Sequence, residues 1–535
     1  MARGGALIIA ATLLLQSAPS NASEILTGRV TSGSQPLSNA AVRLQGDAAG
    51  VWSDADGWFR LPVESLTQRP YVTAGKPGYY NARQAAGTKP LVIDLKPLPT
   101  EDNLQYAWQD PTPNPAEKDN CGNCHDRIFK EWQRDKHSQA AINPLVLTMY
   151  NGTDVDGTAQ TGPGYLIDWN DKGDCSSCHA PLASIGRSAG ADLNTLHGVE
   201  RAGVTCDFCH KVSAIASRAD SPDFGDVRVL RPAAGAKLLF GPFDDATFPG
   251  EIPDFTYSPL FKDSRLCASC HDGRSWGVPT YETYSEWFKS SYPAKNVQCQ
   301  DCHMKSTGTE SLFANEDKGG KRRDPSRTGV HMTMGPVSDA TLRSAVEMQT
   351  EAGVDDGILN VHVEIKNTGA GHDVPSGQPM RNLILLVSAA DSSGRSLQFL
   401  EGERVPAWGG ANGGPEDYAG RPGKGFAKVL FTLNEYQRFS FVSDLKKVTA
   451  DFPAPFWRRN RIMSDNRIPA GGRDESEYLF DARSVTGQVL VTCNLIYRRA
   501  FKSLADVKRW NLPDVPLASS RTVASPPASP VAGRR

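Results

Sequence analysis

The sequence predicts a multidomain chain: an N-terminal β-sandwich, a central mostly α-helical or irregular domain, and a C-terminal β-sandwich. Three observations carry that reading. Residues 25–98 hold neither cysteine nor histidine and show partial alternation of apolar and polar residues. Residues 120–335 contain five Cys-x-x-Cys-His repeats and few strand-like runs. After about residue 340 the alternating pattern returns.

Taken in order, the opening MARGGALIIAATLLLQSAPSNASE reads as a signal peptide over residues 1–22. Arg3 gives a positive start, Ala6 to Leu15 an apolar core, and Ser20-Asn21-Ala22 a small-x-small cleavage site. The apolar run is too short to span a bilayer comfortably and no later stretch is apolar enough. The mature chain is therefore expected to lack a transmembrane segment and to reside in the periplasm or at the cell surface. ILTGRVTS, AAVRLQG, WFRLPV and LVIDLKP supply strands of the first sandwich, with turn-rich stretches such as SDADG between them. Residues 99–119 are polar and Pro-rich and read as a linker. Short helices, such as His125 to Ser138 and Tyr281 to Ser290, carry or flank the repeats. ILNVHVEIKN, RNLILLVSAA, KVLFTLNE and TGQVLVTCNLIYRR are strands of the second sandwich, over residues 340–510, with SLADVKRW as a short capping helix. The tail over 518–535, built of Ala, Ser, Pro and Arg, is expected to be disordered.

The repeats place Cys121, Cys124 and His125; Cys175, Cys178 and His179; Cys206, Cys209 and His210; Cys267, Cys270 and His271; and Cys299, Cys302 and His303. This spacing is the attachment signature of c-type haem: two thiols form thioethers to the porphyrin and the adjacent histidine gives an axial nitrogen to iron. The repeats consume ten of the eleven cysteines, which leaves little room for redox thiol pairs or disulfides. The expected cofactor is haem c, five groups, covalently attached. Cys493, the remaining cysteine, reads as a buried strand residue. The short gaps from His179 to Cys206 and from His271 to Cys299 pair the second repeat with the third and the fourth with the fifth. A net charge of -2 with 22% charged residues gives no electrostatic case for a nucleic-acid partner.

Five histidines lie outside the repeats, so the tally permits a second axial imidazole for every iron. His137 follows its own repeat too closely to cap that haem and suits a neighbouring iron. His197 precedes Cys206 and is flanked by Gly198 and Gly203, which allow tight backbone turns. His331 follows the basic loop holding Lys321, Arg322, Arg323 and Arg327, with Met332 and Met334 as competing ligands. His372 sits in the dense turn NTGAGHDVPSG. His362 alternates with Val361 and Val363, so it faces away from its own core and serves only if a haem packs on that sheet face. Should it not serve, one iron lacks a protein-derived sixth ligand. Trp132, Trp276, Trp287, Tyr281, Tyr284 and Tyr292 are expected to pack against porphyrin faces. No catalytic residue is assigned.

The first sandwich resembles the carboxypeptidase-regulatory, transthyretin-like family through Gly28-Arg29-Val30, Pro36 to Val42, and Asp54-Ala55-Asp56-Gly57-Trp58-Phe59. The central region resembles the cytochrome c554-type family of multihaem cytochromes, through CGNCHDRIFKEWQRDKHSQA, GDCSSCHAPL, LHGVERAGVTCDFCH, RLCASCH and NVQCQDCHM followed by HMTMG. NTGAGHDVPSG resembles the C-terminal β-domain of related multihaem proteins, some of which assemble into extracellular filaments. The resemblance implies electron transport along closely packed haems, with His137, His197 and His331 at family positions for distal ligands. It also implies partners such as a quinol-oxidising complex, another cytochrome or a terminal reductase, and self-assembly as a further option. The alternative it carries is a periplasmic oxidoreductase acting on a small nitrogen or sulfur compound at one high-spin haem. Pentahaem nitrite reductases carry a lysine in place of one motif histidine; all five repeats here end in histidine, which argues against that enzyme.

Overall fold

The computed structural model describes residues 24–64, 70–117, 120–173, 175–187, 190–216, 227–248, 254–333, 339–410, 413–432 and 453–525. The expected signal peptide and the tail beyond residue 525 lie outside them. No helix among the described residues is long and apolar enough to cross a membrane.

The N-terminal region is two four-stranded sheets sharing one core. In the first, strand Glu24–Ser32 pairs antiparallel with Trp58–Val63 and parallel with Leu91–Asp94. Alternation buries Phe59, Leu61 and Val63 and leaves Trp58, Arg60 and Pro62 outside. Val30, Val42, Val72 and Ile93 complete the core from both sheets. Two glycines of the sequence pattern have steric reasons. A Cβ on Gly28 would meet the Leu91 carbonyl at 2.4 Å, and Gly57 turns at φ +78° against the Val30 carbonyl.

The described part of the linker, residues 99–117, packs against the central region. Asp102 forms a bidentate pair with Arg231, and the Tyr106 hydroxyl and Gln109 N–H both donate to Asp207. The segment thereby lies across the third repeat.

In the central region each repeat winds into a short helix: Cys121–Cys124, Cys175–His179, Cys206–Cys209, Arg265–His271 and Cys299–His303. A helical turn brings positions i, i+3 and i+4 to one face, so both thiols and the imidazole point the same way. Side-chain caps start two of these turns, Asn120 accepting from Gly122 N–H and Thr205 from Phe208 N–H. The helices Asp126–Arg134 and Thr283–Lys289 fall where the sequence puts them. Three two-stranded ribbons, such as Gly273–Ser275 with Val278–Tyr281, fill the gaps between repeats.

The C-terminal region is a second pair of four-stranded sheets. One runs Glu347–Asp355, Ile358–Lys366, Arg473–Asp481, Phe399–Gly402; the other Gly423–Phe426, Asn382–Asp391, Val489–Arg498, Val515–Ala524. Asp356 and Gly357, both at positive φ, close the first hairpin. Leu359, Val361, Val363 and Ile365 face Leu383, Leu385, Val491 and Leu495 across the core, where Cys493 is fully buried. Helix Lys502–Val507 packs beside them.

One expectation is overturned here. Residues 518–524 are not a disordered tail but most of strand Val515–Ala524, which pairs antiparallel with Val489–Arg498. An edge strand needs one apolar face and a ladder of backbone hydrogen bonds. Val515, Leu517 and Ala524 supply the first, and Ser and Thr do not disturb the second. The domain therefore extends past residue 510.

Candidate haem-binding cavity

The repeats converge on one cavity of about 2290 Å³, lined by every motif cysteine except Cys175 and by all five motif histidines. A single small-molecule site occupies roughly 300–1,000 Å³, so this space suits several large groups. Its walls carry Trp132, Trp287, Tyr281, Tyr284 and Tyr292 as expected. Trp276 does not join them; it lies at the surface, stacked on Trp169 with ring centres 5.2 Å apart.

Neighbouring thiols show how the repeats are arranged. Cys267 and Cys299 share a hydrogen bond, which joins the fourth repeat to the fifth. The Cys178 and Cys270 thiols share a hydrogen bond, so the second repeat's thiol meets the fourth's rather than the third's, and Cys121 lies close enough to Cys206 to perturb it. Chain reach favours a second–third pair, but Gln109 bonds both Cys121 of the first repeat and Asp207 of the third. Burial pushes the Cys121 thiol up to about 11 and Cys209 to about 12. Such thiols are protonated at neutral pH, unlike activated nucleophiles. Among the described residues no three His, Cys, Asp or Glu side chains form a set able to hold a bare metal ion.

Three of the five other histidines line the same cavity: His137, His331 and His372. The ring centres of His137 and His271 are 6.2 Å apart, and those of His303 and His372 are 6.4 Å apart. Two imidazoles on opposite sides of one metal ion, each bonded at about 2 Å, have ring centres roughly 6 Å apart. His331 lies near enough to His125 and His210 to feel both rings, and its buried Nδ1 has no hydrogen-bond partner. Burial, reinforced by neighbouring imidazoles, lowers both His331 and His271 to about 3. Both rings are thus neutral, the form that ligates metal.

Hydrogen bonds to Nδ1 fix four of these rings. His125 uses the Phe313 carbonyl at 2.8 Å, His210 the Phe240 carbonyl at 2.6 Å, and His372 the Asp373 carbonyl at 2.9 Å. His137 instead uses the Asp135 carboxylate at 2.8 Å. Each bond leaves Nε2 for a metal. Asp135 is buried, which opposes its charge, yet bonds from His137 and Thr333 hold its carboxyl below the usual range. The sequence reading missed Asp135, although its place two residues before His137 is a usable signal.

His197 and His362 are not brought to the cavity. The turn at Gly198, φ +52°, sends the His197 ring outward, 87% exposed and 3.5 Å from Glu200. His362 lies on the outer face of its strand, opposite Glu351 and Glu477, while Val361 and Val363 face inward. Both rings face solvent in this structure, and neither lines the cavity. Met332 is exposed, and Met334 lies outside the described residues.

Comparison with known proteins now adds to this geometry. Residues 120–211 match the family described as Cytochrome c554 and c-prime. The crystal structure of a penta-heme cytochrome c552 from Thermochromatium tepidum is similar in fold, with a TM-score of 0.51 at 22% identity, over 75% of this chain and 97% of that one. The PapD-like domain 7 of human CEP192 aligns at a TM-score of 0.13 and 9% identity, over 36% of this chain and 90% of that one, too weak to carry an argument. No curated protein matches the chain by sequence. The family match, the fold likeness and the cavity together support a multihaem c-type cytochrome.

Proposed function

We propose that this chain carries electrons along five covalently attached haem c groups in the periplasm or at the cell surface, between protein redox partners. A quinol-oxidising complex, another cytochrome or a terminal reductase fits as partner, and copies of the chain could assemble with one another. The observation that carries the reading is the pair of facing imidazoles, His137 with His271 and His303 with His372, at the spacing two ligands of one iron require. Haem iron supplies the one-electron chemistry.

The chain's residues hold and tune that chemistry. The motif cysteines tether each macrocycle, and the motif histidines bind from one side. In this reading His137 caps the fourth group, His372 the fifth, and His331 the first or the third. Asp135 makes His137 the more electron-rich ligand, whereas the backbone carbonyl at His372 is the weaker acceptor. The N-terminal sandwich, read as carboxypeptidase-regulatory-like, has no chemistry of its own.

A second reading has an observation behind it. The cavity holds three distal imidazoles against five motif histidines. Two irons then lack a histidine cap, and an open position is what a small nitrogen or sulfur compound needs. One experiment separates the readings: haem content and magnetic spectra of the oxidised, fully matured protein, with and without cyanide. Five haems, all low-spin and indifferent to cyanide, mark a pure carrier. A high-spin signal that cyanide converts marks an oxidoreductase. Fewer than two haems per chain would defeat both.

A further inference from the structure

One wall of the cavity is richer in cations than its protein partners explain. Arg43, Lys262, Arg323 and Arg327 act on one another there, together with the carboxylates Asp244 and Asp245. Arg43 pairs with Asp244 at 2.6 Å, and Arg323 with Asp245 at 2.6 Å. Among the described residues Lys262 and Arg327 have no ion pair. Arg327 gives one N–H to the Asp47 carbonyl at 2.9 Å, and its guanidinium lies 5.5 Å from the Phe243 ring centre. Both side chains face the cavity. Burial, then the neighbouring cations, lowers the pKa of each. Asp244, Asp245 and Asp301 offset part of this charge, but no described carboxylate pairs directly with Lys262 or Arg327, so the wall keeps a net positive charge that fits an anionic occupant.

The position of the wall identifies a neighbour. Phe261, adjacent to Lys262, stacks on His210 with ring centres 5.2 Å apart and planes 20° apart. The wall therefore borders the third repeat. A haem carries two propionate carboxylates on the edge away from its thioether bonds, an anionic group of the required sign. Resting on the haem reading above, we propose that Lys262 and Arg327 bind the propionates of the haem tethered by Cys206 and Cys209. Arg327 is itself held by the Asp47 carbonyl, so the N-terminal sandwich helps to site that haem.

A free inorganic anion shares this chemistry, and the test distinguishes the two sources. Mature wild type, Lys262→Gln, Arg327→Gln and Arg327→Lys are titrated potentiometrically, with and without inorganic phosphate, after haem content is measured. Removing a nearby cation relieves repulsion on the more positive oxidised haem more than on the reduced one, so the potential falls. The expected result is that each glutamine variant lowers one haem transition, or loses one haem of the five, while Arg327→Lys largely restores the wild-type curve and phosphate has no effect. Five retained haems with every transition unmoved in both glutamine variants would overturn the proposal. So would a wild-type transition that moves only when phosphate is added, which would assign the wall to a free anion. A wild type without haem would instead sink the function proposed above, a distinguishable failure.

Discussion

The two β-sandwiches share an architecture but engage the haem-binding region differently. The C-terminal one sends its loop at residues 367–381 into the cavity, carrying His372 to within 6.4 Å of His303. It then locks that loop with buried charge. Arg467 pairs with Glu286 of helix Thr283–Lys289, and Glu286 also accepts from Ser376 Oγ at 2.5 Å. Lys428 reaches Glu282 at 2.5 Å, and Lys508 donates to the Thr148, Thr153 and Pro163 carbonyls at 3.0, 3.1 and 2.7 Å. The N-terminal sandwich grips from outside. Asp245 takes Gly46 N–H at 2.7 Å and Arg323 at 2.6 Å, and Gln45 donates to Thr247 at 2.9 Å. The difference teaches that one sandwich supplies a histidine to the cavity while the other covers a wall of it.

The largest expected effect tests that contrast directly. His372→Ala should convert one of five haems from low-spin to high-spin, seen in the magnetic spectrum, with all five still attached. An unchanged spectrum would remove the C-terminal sandwich from the redox site. Next comes Arg467→Met, which strands Glu286 in a buried position; Arg467 is 5% exposed and Glu286 4%. Breaking such a pair costs about 3–5 kcal/mol, measurable as a fall in denaturation midpoint of the mature protein. On the other side, Asp245→Asn weakens charge-assisted bonds to Arg323 and Gly46 and should cost about 1.5–3 kcal/mol. It should leave every spin state unchanged. A new high-spin signal in that variant would erase the distinction between the sandwiches.

Much of this was legible in residues, and the remainder has physical reasons for being hidden. The repeats could be read because haem attachment fixes a covalent spacing. Strands such as Trp58–Val63 and Ile358–Lys366 could be read because one buried face forces alternation. Strand Arg473–Asp481 escaped because its charged residues mask an inward set of Ser476, Tyr478 and Phe480. Strand Val515–Ala524 escaped because its order comes from its neighbour's ladder, not from its own composition. Which histidines enter the cavity depends on where loops from distant segments dock, and local spacing is silent on that. His372 and His197 both sit among glycines; only the first is carried inward, by the Arg467 and Glu286 lock.

A smaller effect separates the two capped sites themselves. His137 leans on the Asp135 carboxylate and His372 on a backbone carbonyl. Asp135→Asn should raise the potential of one haem, because a less electron-rich imidazole stabilises the oxidised iron less. The shift should be confined to one transition in a potentiometric titration, with the fifth site unmoved. Movement of several transitions would mean that Asp135 acts as a general charge rather than through His137.

The smallest effects are expected at the two histidines that stay outside. His197 and His362 face solvent beside Glu200 and Glu477, at 3.5 and 3.9 Å, and exposed pairs of this kind are worth little. His197→Ala and His362→Ala should each change stability by less than about 0.5 kcal/mol and leave haem content and spin states as in wild type. A low-spin signal lost in His197→Ala, only at protein concentrations where copies associate, would show that this ring reaches an iron of another copy. A loss independent of concentration would mean that the ring turns inward when haem is attached, and the count of three distal imidazoles would have to rise to four.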